Sequence, residues 1–145
     1  MFLKCALASL GAHNEAISIF DKVLKLEPNN PESLLYKAEE LNLSDRTEEG
    51  LEIAAKARFH AKNSTDKAVA LLLETFASVL LNRTSQIKSK TGEFRKLVKD
   101  LETDGKMYDY TYGFSFIERS AEKNLSERYK LKIFSMIATL KKYTV

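Results

Sequence analysis

The sequence predicts an all-α protein, and three observations support this prediction. Apolar residues recur at spacings of three and four along most of the chain, which is the period of one face of an α-helix. Glycine and proline, the residues that most often interrupt helices, number only 5 and 2 among 145 residues. Similar residues also recur 34 residues apart in the first half of the chain, as is typical of stacked helix pairs.

The overall composition describes a single helical domain over residues 1–145. The length matches one domain, and 44% hydrophobic with 30% charged residues is typical of a globular chain. Cys5 is the only cysteine, so no internal disulfide can form, which is typical of a reducing compartment. No apolar run approaches the roughly 18–20 residues of a membrane span. These features predict a cytoplasmic protein without a membrane segment.

Charge is distributed unevenly along the chain. Residues 1–82 hold 9 Lys and Arg against 12 Asp and Glu, a net charge of −3, whereas residues 83–145 hold 14 against 8, a net charge of +6. A basic half of this kind fits an acidic protein, a membrane surface or nucleic acid as a partner. We favour the simpler interpretation, a solvated, lysine-rich helical surface.

The first well-marked helix leads to Pro28. Its apolar stripe consists of Ala16, Ile17, Phe20, Val23 and Leu24. These positions follow the 3.6-residue period of a helix. Pro28 and Pro31 interrupt the helix, because proline lacks an N–H and restricts the residue before it. Pro31 is well placed to open the next helix, where the missing N–H has no role.

Five further helices follow from the same period and from local stop signals. They are predicted at about Glu32–Leu43, Thr47–His60, Asp66–Leu81, Ser85–Thr103 and Ser126–Tyr143. Thr47 and Thr65 are the predicted caps of the second and third of these helices, because threonine hydroxyls accept hydrogen bonds from free N–H groups at helix starts. Asp104 and Gly105 are expected to end the fourth.

An aromatic segment after Gly105 allows two interpretations. Alternation predicts a strand through Tyr108, Tyr110, Tyr112, Phe114 and Phe116. Helical spacing predicts a helix through Met107, Tyr110, Phe114, Ile117 and Ala121. We favour the helix, because the neighbouring segments are helical and a lone strand has nothing to pair with.

The 34-residue repeat can be followed residue by residue. Glu15-Ala16-Ile17 and Glu49-Gly50-Leu51 are 34 residues apart, as are Phe20 and Ala54, and Val23 and Ala57. These residues resemble the tetratricopeptide repeat (TPR) family, in which each repeat is a pair of antiparallel helices. The resemblance covers about residues 1–80. It implies a TPR-like stack over residues 1–82, with a truncated first repeat, followed by additional helices in a basic, aromatic-rich extension over residues 83–145.

The resemblance also implies a function, because in TPR proteins the first helix of each pair lines a concave face that holds a peptide. Mapped onto this sequence, the lining positions are Cys5, Ala8, Glu32, Leu35, Tyr36, Glu39, Asn42, Asp66, Val69, Leu73 and Phe76. Acidic residues stand where some family members place carboxylate-binding cations, so the expected ligand is a basic or amphipathic segment. The alternative is that Leu35 and Phe76 pack between helices and that the C-terminal helices cover this face.

The first functional hypothesis is therefore a non-enzymatic protein–protein interaction module, an adaptor that binds a protein or peptide segment. A second is a nucleic-acid-associated protein, in which the aromatic segment acts with Lys106, Arg119 and Lys123. A third is self-association, giving a homo-oligomer, through a first helix that lacks the polar cap such arrays need.

Enzymatic chemistry has little support in the sequence. His13 and His60 are the only histidines and lie 47 residues apart, so with one cysteine they do not make a zinc-ligand pattern. No glycine-rich phosphate-binding motif is present. We expect no catalytic residue, no metal and no cofactor.

Overall fold

The computed structural model describes residues 12–104 and 111–143, and seven α-helices make up almost all of this part of the chain. The helices are α1 His13–Leu26, α2 Pro31–Leu43, α3 Thr47–His60, α4 Ser64–Leu80, α5 Thr84–Asp104, α6 Thr111–Asn124 and α7 Glu127–Lys141. Over the described ranges there is no β-strand, which confirms the all-α prediction. No helix within them is both long and apolar enough to cross a membrane.

The starts of two helices show how local sequence sets their boundaries. Pro31 is the first residue of α2, as predicted, and the Asn30 side chain accepts a hydrogen bond from the Ser33 N–H at 2.9 Å. For α4 the predicted cap, Thr65, is wrong. Asn63 takes that role and accepts from the Asp66 N–H at 2.8 Å, so the helix begins at Ser64.

The first five helices pack against one another in chain order. Connections of three or four residues join them, and links this short make consecutive helices antiparallel neighbours. The starts of α1 and α3 lie 34 residues apart, at His13 and Thr47, and those of α2 and α4 lie 33 apart, at Pro31 and Ser64. Thr47, the cap predicted for α3, is instead the first residue of that helix, and its side chain does not cap the helix.

Helix α4 is the centre of the molecule. From Thr65 to Val79 every side chain except that of Lys67 is buried, and most of these side chains are apolar. Helices α2, α3, α5 and α7 all pack against it. Burial of a leucine, valine or phenylalanine side chain contributes about 1.5–3 kcal/mol, so this helix supplies a large part of the stability.

The last two helices return across the stack. Helix α6 packs against α2 and α7, and α7 packs against α4. Phe114, Ile117 and Ala121 are buried on α6, so the helical interpretation of the aromatic segment is confirmed over residues 111–124 and the strand interpretation is wrong there. Met107, Tyr108 and Tyr110 lie outside the described residues.

Candidate functional site

The concave face predicted from the repeat pattern is not open to solvent. Its positions on α2 and α4, which we call the inner face, are Leu35, Tyr36, Glu39, Asn42, Asp66, Val69, Leu73 and Phe76, and all eight are buried. Of the positions predicted on these two helices only Glu32 is exposed, and Cys5 and Ala8 lie outside the described residues. The expectation of an accessible groove along the first helices is therefore wrong for this structure.

Helices α6 and α7 account for this difference. They pack against α2 and α4, respectively, the two helices that carry the inner face. Leu35, Val69, Leu73 and Phe76 present apolar surface there, and removing such surface from water is favourable. The alternative considered from the sequence, that C-terminal helices cover the face, matches this packing.

Polar groups on and beside the inner face are held inside the fold. The Asn42 amide donates to the Leu73 carbonyl oxygen at 3.3 Å and so joins α2 to α4. The carboxylate of Glu40, on the same helix, lies 2.6 Å from His13 Nδ1 and is fully buried. Gly50 lies against Asn42 so closely that a Cβ there would be 2.0 Å from Asn42 Oδ1.

A second buried carboxylate forms an ion-pair network that the sequence did not reveal. Glu74 on α4 is 1% exposed, and it pairs with Arg58 Nε at 2.6 Å and with Lys90 Nζ at 3.4 Å. Arg58 also reaches Glu93 at 3.3 Å. The hydrogen bond to Glu74 raises the pKa of Arg58 above its ordinary value, since it favours the charged form. This network fixes α3, α4 and α5 together.

An open groove lies on a different part of the molecule, between α5 and α7. It has a volume of about 570 Å³ and is lined by Thr91, Phe94, Arg95, Val98, Arg128, Leu131, Lys132, Ser135, Met136 and Thr139. We call it the α5–α7 groove. Phe94 and Met136 are buried on its apolar side, whereas Leu131 is 57% exposed. An exposed leucine beside buried apolar residues gives a partner apolar surface to cover.

The charge of the α5–α7 groove has one sign. Arg95, Arg128 and Lys132 line it together with no acidic side chain. Elsewhere on the described surface some cations are paired, for example Lys141 with Glu118 at 2.9 Å. The three groove cations form no such ion pair within the described residues.

Two of the three hydroxyl groups that line the α5–α7 groove, those of Thr91 and Thr139, are used within their own helices, and the third belongs to the exposed Ser135. Thr91 Oγ1 donates to the Ile87 carbonyl oxygen at 2.9 Å, and Thr139 Oγ1 donates to the Ser135 carbonyl oxygen at 3.1 Å. The groove therefore offers cationic and apolar contacts but few free polar groups for directional hydrogen bonds.

The aromatic and basic residues proposed for nucleic acid do not form a stacking surface in the described part of the chain. Phe114 is buried. Phe116 is half-buried, with the Arg119 guanidinium carbon 5.5 Å from its ring centroid, and Lys123 is exposed. Lys106, Tyr108 and Tyr110, together with the side chain of Tyr112, lie outside the described residues.

Neither histidine belongs to a cluster of metal-binding side chains within the described residues. His13 pairs with Glu40, and His60 makes an edge-to-face contact with Phe59, with ring centroids 5.0 Å apart. Among the residues that the structure describes, no group of three or more His, Cys, Asp or Glu side chains is arranged to hold a metal ion.

Sequence reasoning missed the α5–α7 groove, although one signal was present. On α7 the lining residues Arg128, Leu131, Lys132 and Ser135 follow a helical stripe. No protein-family model, curated protein or solved structure matches the chain.

Proposed function

We propose that this chain is a non-enzymatic helical module that binds a protein segment, and that the segment binds in the α5–α7 groove. One observation carries the proposal: an apolar groove whose three cations have no carboxylate partner among the described residues. In such sites apolar contacts contribute affinity, and surrounding charges of one sign determine the orientation and the specificity of the partner.

The resemblance of the first repeats to TPR proteins supports a binding role but does not identify the binding face. The inner face is buried against the protein's own helices. A partner there would have to displace α6 and α7, and the burial of residues such as Phe76 and Leu73 opposes this exchange. The α5–α7 groove is accessible without any rearrangement, so we assign the partner to it.

Site-specific photo-cross-linking tests this proposal. A benzophenone amino acid replaces Ser135, which lines the groove and is exposed, and in a matched control replaces Ser18, which is exposed on α1. Both proteins are irradiated in lysate of the source cells, with and without nuclease treatment. We expect protein adducts from position 135, loss of these adducts when Leu131→Glu is added, and none of them from position 18.

Two results would contradict the proposal. Equal protein adducts at positions 135 and 18 would show no preference for the groove. Adducts that disappear with nuclease would favour nucleic acid as the partner, since the groove is cationic. Circular dichroism of the Leu131→Glu protein must show the helical content of the wild type, as expected for a change at an exposed position.

A further inference from the structure

The walls of the α5–α7 groove are two helical stripes of unequal length. The lining residues of α5 run from Thr91 to Val98, and those of α7 run from Arg128 to Thr139. At 1.5 Å per residue these stripes are about 10 Å and about 16 Å long. The longer wall matches about three turns of a third helix and the shorter wall about two.

Hydrogen bonding favours a helix over an extended segment as the occupant. An extended peptide leaves its backbone N–H and C=O groups to be satisfied by the groove. Thr91 and Thr139 already donate their hydroxyl protons to carbonyl oxygens of their own helices, and apart from Ser135 the other lining residues are apolar or cationic. A helix satisfies its own backbone groups and needs only side-chain contacts.

The charges favour acidic side chains on the occupant. Arg95 and Arg128 are exposed and Lys132 is half-buried, so all three can contact a ligand that lies in the groove. Carboxylates along both edges of a bound helix would neutralise these cations, whereas cationic side chains there would be repelled. Apolar residues at helical spacing would cover Phe94, Leu131 and Met136.

We infer that the segment bound in the α5–α7 groove is an acidic amphipathic helix of about three turns. The inference rests on the proposed function and deepens it by naming the partner's chemistry. It is opposite in sign to the basic or amphipathic segment that the TPR resemblance implied, because the open site lies in the basic half of the chain.

Fluorescence anisotropy with designed peptides tests the inference. The main probe is a labelled peptide of about 18 residues with leucine on one helical face, glutamate along the two edges of that face and alanine elsewhere. It is long enough to be partly helical alone, and the alanines limit the repulsion between carboxylates four residues apart. A second probe replaces each glutamate by lysine. A third has the composition of the first in a scrambled order that destroys the apolar stripe. Single-stranded RNA of similar charge serves as the fourth.

Protein variants provide the matched control for charge. The groove variant carries Arg95→Glu, Arg128→Glu and Lys132→Glu. The control variant carries Lys22→Glu, Lys25→Glu and Lys56→Glu at exposed positions on α1 and α3. Both variants change the formal charge from +3 to −3, since each reversal removes two units.

The inference has a defined expected outcome. The leucine–glutamate helix binds the wild type and the control variant, and its affinity for the groove variant falls about tenfold to hundredfold, as three rim ion pairs are lost. The leucine–lysine helix binds the groove variant better than the wild type. Rising salt weakens both, because exposed charges are screened.

Other outcomes would overturn the inference. Equal binding of the scrambled peptide, or of RNA, would show that the surface recognises negative charge without a helix. An equal loss in the control variant would show that only net charge matters. If no probe binds the wild type while groove-dependent protein adducts form at position 135, the acidic helix is wrong and the proposed function stands.

Discussion

The inner face and the α5–α7 groove are both apolar surfaces between helices, with charged groups among or beside their apolar residues. They differ in exposure, because the inner face is buried and the groove is open to solvent. On the inner face the carboxylates of Glu39 and Asp66 are buried together with the leucines and the phenylalanine. In the groove the cations remain at the surface and Leu131 is more than half exposed. Helices α6 and α7 pack against the two helices that carry the inner face, whereas nothing in the described chain covers the groove.

The first prediction compares the same substitution on the two surfaces. Leu73→Ala on the inner face removes a fully buried side chain and is expected to lower the free energy of unfolding by about 2–5 kcal/mol. Leu131→Ala in the groove changes a side chain that is 57% exposed and should alter stability by no more than about 0.5 kcal/mol. Urea denaturation of both variants measures the contrast. Similar losses of stability would show that the groove is as covered as the inner face.

The second prediction concerns the contact between Gly50 and Asn42 beside the inner face. Gly50→Ala places a Cβ 2.0 Å from Asn42 Oδ1 and 3.2 Å from the Asn42 backbone nitrogen, so the Asn42 side chain must turn away from its hydrogen bond to Leu73, or α2 and α3 must move apart, at a cost of about 1–3 kcal/mol. Gly92→Ala is the control, because nothing lies within 4 Å of the new Cβ on α5. That change should stabilise the helix by about 0.5–1 kcal/mol. Thermal unfolding should shift in opposite directions, and equal shifts would refute the close contact.

The third prediction compares two arginines, one paired inside the fold and one in the groove. Arg58→Ala leaves the 1% exposed Glu74 with only Lys90 nearby. We expect a loss of about 2 kcal/mol, less than for a buried carboxylate with no remaining partner. Arg95→Ala, at an exposed groove position without an ion pair, should change stability by at most about 0.5 kcal/mol. A destabilising effect of Arg95→Ala comparable to that of Arg58→Ala would mean that Arg95 stabilises the folded protein.

Features that depend on neighbours in the sequence were predictable. The boundaries of α2 follow from Pro31 and the turn before it, and the helical period of α6 identified Phe114, Ile117 and Ala121 correctly. Capping was less certain, because Asn63 and Thr65 are both suitable caps and lie only two residues apart. Local chemistry alone does not choose between them.

Features that depend on distant segments were not predictable in the same way. The repeat pattern placed Leu35 and Phe76 on one side of their helices, but it carried no information about what packs on that side. The α5–α7 groove combines Phe94 with Leu131, on helices separated in the chain by α6. A charge excess in residues 83–145 was visible in the sequence, whereas the absence of ion pairs around three particular cations required the structure.

Thiol labelling of single cysteines tests the central contrast most directly. Leu131→Cys, Leu26→Cys and Leu35→Cys are made separately in a Cys5→Ser background. The wild-type leucines are 57%, 86% and 0% exposed, respectively. We predict rapid labelling at positions 131 and 26. At position 35 we predict labelling only as fast as the protein unfolds. The leucine–glutamate helix should slow labelling at position 131 and leave position 26 unchanged. Rapid labelling at position 35 would show that the inner face is accessible, and protection by the peptide there and not at position 131 would show that the inner face is the partner surface.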